Sequence, residues 1–164
     1  MARVPYVEKE TLTGEARQLY DTFVQRFSVK QVPNVVKALS NSPKLASRVF
    51  PLADYFMNDS SLDKQQRELA VLILMKRLNC EYGFVRHIAI AKQVGLTQEQ
   101  IDNIGSYQTS SLFTDNDKLI LRYADDLTTK GRVDDDLFKS VEKLFLVRLF
   151  LLSRSIFSWV GTER

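Results

Sequence analysis

The hydrophobic positions along this chain recur mostly at spacings of three and four residues, and strand-like alternation is nearly absent. Because an α-helix returns to the same face every 3.6 residues, this spacing indicates amphipathic helices joined by short loops. Only six glycines and four prolines interrupt the chain. The sequence therefore predicts an all-α fold. We expect helices over residues 8–27, 33–39, 43–57, 80–94, 115–129, 134–145 and 146–160.

The apolar run at 69–75 predicts the central helix of the fold, since it is long enough to be buried on every side. Asp63 and Gln66 precede the run with the spacing of a capping box, which would begin this helix. Glu68 lies directly before the run. A carboxylate there needs a partner, because an unpaired buried charge is costly.

The helix over 80–94 and the segment after it carry the clearest local signals. Gly95 suits the left-handed conformation that often follows the last turn of a helix. Thr97 and Gln100 then have the spacing of a capping box. A short connection near Asn79 would make the helix over 80–94 antiparallel to the central helix.

Glu68 and His87 both lie far from this connection, so we expect their side chains to approach each other. A carboxylate that orients an imidazole forms a proton-transfer pair able to work near neutral pH. Cys80, Gly83 and His87 share a helix face. A mid-helix glycine costs about 1 kcal/mol relative to alanine. Gly83 therefore indicates either close approach of another helix or space for a ligand. The alternative for the pair is a surface histidine beside a solvated helix start.

Composition narrows the class of protein. A hydrophobic content of 45% in 164 residues fits one compact domain. A single cysteine excludes an intrachain disulfide, so we expect a reducing, cytoplasmic setting. The net charge of +3 comes from 23 basic and 20 acidic residues that are scattered along the chain. Without a basic stripe, we expect no nucleic-acid partner.

Two segments bear on membranes and assembly. The N-terminal segment becomes polar at 8–10 before an apolar core can form, so we expect no signal peptide. The apolar segment 144–160 contains Arg148 and Arg154 and is shorter than the roughly 20 residues that span a bilayer. We expect it to pack against protein, with no membrane partner. Its apolar surface exceeds what one small domain readily covers, which favours a homo-oligomer.

The central segment contains Arg67-Glu68, then Cys80, and then Glu81-Tyr82-Gly83-Phe84-Val85-Arg86-His87. With this pattern it resembles the core of the alkylhydroperoxidase D / carboxymuconolactone decarboxylase superfamily. The resemblance is strongest over about 60–104 and weaker towards the C-terminus. It implies a single alkylhydroperoxidase D-like helical bundle over 1–164 and homo-oligomers that range from dimers to trimers and hexamers.

The redox branch of this superfamily has a CxxCxxxH pattern and an upstream glutamate. Cys80, His87 and Glu68 match this pattern, but Gly83 stands in the place of the second cysteine. A dithiol couple therefore cannot form within one chain. Cys80 would act alone as a peroxidase thiol, oxidised to a sulfenic acid near the charge of Arg86 and resolved by an external thiol or a neighbouring subunit. The alternative is that Cys80 is a small buried hydrophobe.

The non-redox branch often has Glu-Tyr-Glu-Trp before the histidine, and here Gly83 and Phe84 replace its last two residues. The chain looks closer to this branch, which implies a cofactor-independent lyase or isomerase. His87 would be its general acid and base, with Glu68 as the orienting partner. Residues expected at a small carboxylate or peroxide substrate are Arg67, Tyr82, Gly83, Phe84 and Arg86.

A third interpretation is a non-catalytic, oligomeric binding module that keeps the fold without the chemistry. No metal site is expected, because one histidine and one cysteine cannot supply the usual zinc-binding pattern. No nucleotide-binding glycine motif is present either. The sequence thus leaves three functions open: a proton-transfer enzyme, a thiol peroxidase and a binding module.

Overall fold

The computed structural model describes residues 4–27, 32–60 and 62–145, and within these ranges the chain forms helices and no β-strand. This confirms the predicted all-α class. Short 3-10 turns lie at Lys9–Thr11 and Ile104–Ser106. The α-helices of the described residues are α1 (Gly14–Phe27), α2 (Asn34–Leu39), α3 (Pro43–Asp54), α4 (Lys64–Arg77), α5 (Glu81–Gln93), α6 (Gln98–Asp102), α7 (Asp115–Lys130) and α8 (Asp135–Phe145).

The chain divides into two compact units, one over residues 1–60 and one that begins at residue 61. In the first unit α1 packs against α3, and the rings of Phe23 and Phe50 lie 5.0 Å apart. The expectation that residues 1–164 form a single domain stays a prediction. Among the described residues, the buried hydrophobic core of the first unit comprises Leu12, Tyr20, Val36, Ala46 and Phe50.

The predicted helix bounds need correction in the first unit. The helix predicted from residue 8 begins at Gly14, because Leu12 is extended (φ −84°, ψ 138°) after the 3-10 turn. The helix predicted over 43–57 continues through Pro51 to Asp54 and then ends in one π-helical turn at Tyr55–Asp59.

In the second unit α4 is the central helix, as predicted, and it packs against both α5 and α7. Leu72 and Ile73 on α4 have no exposed surface. The side chain of Asp63 caps α4 by accepting from the backbone N–H groups of Gln65 and Gln66, at 2.9 and 3.1 Å. Only this half of the predicted capping box is present.

The link between α4 and α5 comprises three residues, 78–80. Asn79 has a φ of 52°, a left-handed conformation that asparagine tolerates better than most residues. Cys80 directly precedes α5, and its N–H donates to the carbonyl of Met75 at 2.9 Å. This link reverses the chain so that α4 and α5 pack side by side.

The end of α5 and the start of α6 follow the sequence signals closely. Gly95 is left-handed (φ 98°) after α5, and Thr97 and Gln100 form the predicted capping box of α6. Gly131 ends α7 in the left-handed conformation. The carboxylate of Asp134 accepts from the N–H of Leu137 in the first turn of α8 at 2.8 Å.

The helix predicted over 146–160 lies outside the described residues. Among the helices that are described, none combines the length and the hydropathy that a membrane span requires.

Candidate active site

Glu68 is a fully buried carboxylate with two different partners. It lies early in α4, and its side chain has no exposed surface. Arg67 Nε donates to Glu68 Oε1 at 3.0 Å, and His87 Nδ1 lies 2.8 Å from Glu68 Oε2. Burial of a carboxylate is tolerated only with such partners. The expected approach of Glu68 and His87 is thus present in the structure.

His87 presents its second ring nitrogen away from this carboxylate. Its side chain is 22% exposed, and within residues 4–27, 32–60 and 62–145 its Nε2 has no hydrogen-bond partner. Because Nδ1 faces a carboxylate, the neutral ring carries its proton on Nδ1 and a lone pair on Nε2. The ring can therefore accept a proton at Nε2 while Glu68 stabilises the resulting cation.

Arg67 contacts Glu68, although the sequence placed Arg67 at a substrate. The Arg67 side chain is 8% exposed and forms a salt bridge with the residue that follows it. Side chains of adjacent helix residues point about 100° apart. Arg67 therefore has to curl around α4 to reach Glu68, and its Nε is directed to the carboxylate. The substrate contact expected for Arg67 stays a prediction.

Gly83 has a packing explanation in this structure. A Cβ atom built at Gly83 would lie 2.5 Å from Met75 Sδ and 3.0 Å from Cys80 Sγ. The thioether of Met75, from α4, therefore fills the space where the redox branch has its second cysteine. Of the two explanations left open by the sequence, close approach of the neighbouring helix is the one supported. The sequence did not single out Met75, because a methionine in an apolar run looks like ordinary core.

Cys80 is a free thiol of intermediate exposure at the start of α5. Phe84 packs partly buried against the core, and Lys76 Nζ lies 5.8 Å from the centre of its ring. Tyr82 is half-exposed and Arg86 is partly buried. Since they are four residues apart on α5, Tyr82 and Arg86 share a face, one position away from the face of Gly83 and His87.

A second buried polar cluster was not predicted from the sequence. Arg77 forms a two-pronged salt bridge with Asp125, through its Nε and one terminal nitrogen, each at 2.7 Å. The hydroxyl of Tyr107 donates to the same carboxylate at 3.3 Å. Arg77 and Asp125 are 48 residues apart in the chain. The only signal in the sequence is that Asp125 falls among the apolar positions of α7.

The surroundings change the ionisation of this cluster. Burial raises the pKa of Tyr107 to about 12, and the neighbouring charge of Asp125 adds to the effect. The hydrogen bond to Asp125 raises the pKa of Arg77 above its usual value. Arg77 therefore stays charged and Tyr107 neutral at neutral pH. The cluster ties α4 to α7 and the segment between α6 and α7, which is a structural role.

Comparison with known families gives one decisive result. The model of the carboxymuconolactone decarboxylase family matches residues 43–126, about half of the chain. The chain belongs to the carboxymuconolactone decarboxylase family. The resemblance seen over about 60–104 is thereby confirmed, and Glu68 and His87 lie within the matched region. No curated protein and no solved structure matches the chain significantly.

Proposed function

We propose that this carboxymuconolactone decarboxylase family member is an enzyme that transfers a proton on a small organic acid, in a cofactor-independent lyase- or isomerase-type reaction. The observation that carries the proposal is the 2.8 Å contact between the buried carboxylate of Glu68 and Nδ1 of the partly exposed His87. His87 is the general acid and base, and Glu68 orients its ring and stabilises its cationic form.

The chemistry of the pair suits either reaction type. In a decarboxylation the bond between the carboxylate carbon and the α-carbon breaks, CO2 leaves, and the electron pair stays behind as an enolate. The imidazolium of His87 then protonates the α-carbon from Nε2 and regains a proton from water. In an isomerisation the neutral Nε2 removes a proton from one carbon and returns it to another. Glu68 stabilises the imidazolium in both cases.

Arg86 is the cation that we propose for holding the substrate carboxylate. Arg67 directs its Nε to Glu68, whereas Arg86 directly precedes His87 on α5. A guanidinium group binds a carboxylate through two parallel hydrogen bonds. Tyr82, on the same face as Arg86, supplies a hydroxyl group. This arrangement favours small carboxylated substrates such as β-keto acids and carboxylated lactones.

The test is a screen of these acids with the wild type, His87→Ala and Glu68→Gln. General acid–base catalysis contributes about 10²–10⁴-fold, so His87→Ala should lower kcat by that factor. Glu68→Gln keeps the shape but removes the charge that stabilises the imidazolium, and we expect a loss of about 10²-fold or more. Asp125→Asn is the matched control, because it neutralises another buried carboxylate that contacts Arg77. We expect the folded control to keep its activity.

The outcomes separate this proposal from its alternatives. Equal rates for the wild type and His87→Ala on every accepted substrate would remove His87 from the mechanism. Binding of a carboxylate without turnover, in a folded wild-type protein, would instead favour the non-catalytic binding module.

One observation favours a second candidate, a thiol peroxidase: Cys80 is a free cysteine and the residue is of intermediate exposure rather than fully buried. Its thiolate would attack a hydroperoxide, giving a sulfenic acid and an alcohol. One external thiol would then form a mixed disulfide and release water, and a second would restore Cys80. A sulfenic acid trap should label the peroxide-treated wild type but not Cys80→Ser. No label on the native wild type, while a control thiol reacts, would contradict this candidate.

A further inference from the structure

Two contacts between α4 and α5 mark the ends of a short seam between these helices. At one end Glu68 Oε2 lies 2.8 Å from His87 Nδ1, and at the other the N–H of Cys80 donates to the carbonyl of Met75 at 2.9 Å. The two ends are seven residues apart on each helix. Seven residues make two helical turns, so the ends are separated by about 10 Å. We call the space between them the α4–α5 seam.

The thioether of Met75 fills the middle of this seam. Residue 83 of α5 is a glycine, and Met75 Sδ and Cε lie 2.5 and 3.3 Å from the point where its Cβ would be. Side chains of an α-helix lean towards the N-terminus of that helix. Met75 therefore leans along α4 towards Glu68, and His87 leans along the reversed α5 towards Gly83. The thioether and the imidazole thus approach the same part of the seam.

The outer edge of the seam is accessible to solvent. Met75, Gly83 and His87 are each of intermediate exposure, whereas Leu72, three residues before Met75 on α4, has no exposed surface. A ligand that reaches His87 from solvent therefore meets the thioether of Met75 on the side of the link between the helices. This boundary is apolar, so it contacts the apolar part of a ligand.

We propose that Met75 is a specificity-determining residue that restricts the candidate site to acids with a short apolar chain. The inference rests on the proposed function, in which the substrate carboxylate is bound at Arg86 and the reacting carbon lies at His87 Nε2. The apolar chain of the acid then extends across Gly83 and ends against the thioether of Met75. A shorter side chain at residue 75 gives longer acids room in the seam.

The test measures which acids occupy the seam and does not need turnover. Cys80 is the only cysteine in the chain, so mass spectrometry can follow its reaction with methyl methanethiosulfonate. In this reaction the thiolate attacks the sulfenyl sulfur, a mixed disulfide forms and methanesulfinate leaves. Cys80 Sγ lies 3.0 Å from the Cβ point of Gly83, so an acid in the seam should slow the labelling. Butanoate and hexanoate are the probes, because each has a carboxylate and an apolar chain and neither decarboxylates.

The wild type and Met75→Ala should differ in the acid that protects Cys80 better. In the wild type butanoate should protect at a lower concentration than hexanoate. In Met75→Ala the ratio of the two protection constants should shift towards hexanoate by about 10-fold or more, the effect of a methylene group in an apolar pocket. Met75→Leu, which roughly keeps the volume, should keep the preference of the wild type. If Met75→Ala does not fold, Met75→Val makes the same test with a smaller loss of volume.

Ile73→Val is the matched control on α4. Ile73 lies two positions before Met75 and points about 200° away around the helix, where it is fully buried in the core. The variant should lower the free energy of unfolding without changing the ratio of the protection constants. A purely structural role of Met75 would also leave this ratio unchanged. For acids that are turned over, Met75→Ala should shift the ratio of kcat/KM towards longer substrates in the same way.

The same ratio in the wild type and Met75→Ala, or no protection by either acid in both proteins, would overturn the inference. This result is distinguishable from failure of the proposed function. If His87→Ala retains full activity, the proposed function fails, while a shifted ratio still assigns the limit on acid size to Met75. If His87→Ala is inactive and the ratio is insensitive to residue 75, the proposed function stands and the role of Met75 falls.

Discussion

Residue 83 is a glycine because the side chain of Met75 occupies the space beside it. Met75 Sδ lies 2.5 Å, and Cys80 Sγ 3.0 Å, from the point where a Cβ of residue 83 would be. A side chain at this position would have to displace the end of a flexible methionine. Gly83 and Met75 should therefore be energetically coupled.

A double-mutant cycle tests this coupling. Gly83→Ala gains up to about 1 kcal/mol of helix propensity. In the wild-type background an overpacking cost of about 1 kcal/mol against Met75 should offset this gain. In the Met75→Ala background Gly83→Ala should stabilise the protein by up to about 1 kcal/mol, measured by urea unfolding. The same change in both backgrounds would contradict the contact.

The sequence predicted the pair of Glu68 and His87, but it did not predict the neighbouring contacts of Arg67 and Met75. Glu68 and His87 could be paired because a short link near Asn79 makes their helices antiparallel. The contact between Arg67 and Glu68 was not predictable, since adjacent helix residues normally point in different directions. Nor could the sequence show that Met75 fills the space beside Gly83, because packing of side chains between two helices depends on their separation and rotation.

At the scale of helices, Arg77 and Asp125 link α4 to α7 by a two-pronged salt bridge. Removal of one partner leaves a charge with few other partners, and for buried pairs this costs about 3–5 kcal/mol. Arg77 is partly exposed, so we expect Arg77→Met to lower the free energy of unfolding by about 3 kcal/mol. Denaturant titration measures this change.

The control for this prediction is the pair of Lys130 and Asp126 on α7, in which the cation is exposed and the carboxylate also lies 3.9 Å from Arg122 Nε. The Lys130 side chain is 60% exposed, and ion pairs that solvent screens contribute up to about 1 kcal/mol. Lys130→Met should therefore cost less than about 1 kcal/mol. A cost equal to that of Arg77→Met would show that burial does not distinguish the two pairs.

Tyr107 provides a prediction for alkaline pH. Its pKa of about 12 lies above the ordinary value of 10.0 because of burial and the neighbouring Asp125. The stability it contributes is therefore fully present below pH 10 and is lost as the pH rises through about 12. The difference in tyrosinate absorbance between the wild type and Tyr107→Phe should show this titration. A difference midpoint near 10 would contradict the burial of a neutral phenol.

The helices with clear end signals were predicted best. Helix α7 was expected over 115–129 and spans Asp115–Lys130; in the structure Thr114 caps its start and the left-handed Gly131 ends it. The start of α1 was placed six residues too early, at 8 in place of 14. The local pattern could not show that Leu12 is buried in an extended conformation, because this depends on the residues packed around it.

At the scale of the whole molecule, both units carry large apolar side chains on their surfaces. Val35 is 57% exposed in the first unit and Val85 is 58% exposed in the second. The apolar segment 144–160 adds to the hydrophobic content. Surfaces of this kind favour association of protein chains.

We therefore predict a homo-oligomer, and the family resemblance implies a dimer, a trimer or a hexamer. Size-exclusion chromatography with light scattering should give a mass that is a multiple of the single chain at micromolar concentration. A stable monomer over this range would contradict the prediction. Val85→Glu, with Lys92→Glu as a charge control on the same helix, would show whether the exposed apolar position of α5 takes part.

The link at 78–80 makes the geometry of the candidate site sensitive to chain length. An α-helix turns by about 100° and advances about 1.5 Å for each residue. Insertion or deletion of a single residue beside Asn79 would thus swing His87 to another side of α5, away from Glu68. Homologous proteins that use the same two groups should tolerate changes of residue type in this link, but no gap in their alignment there.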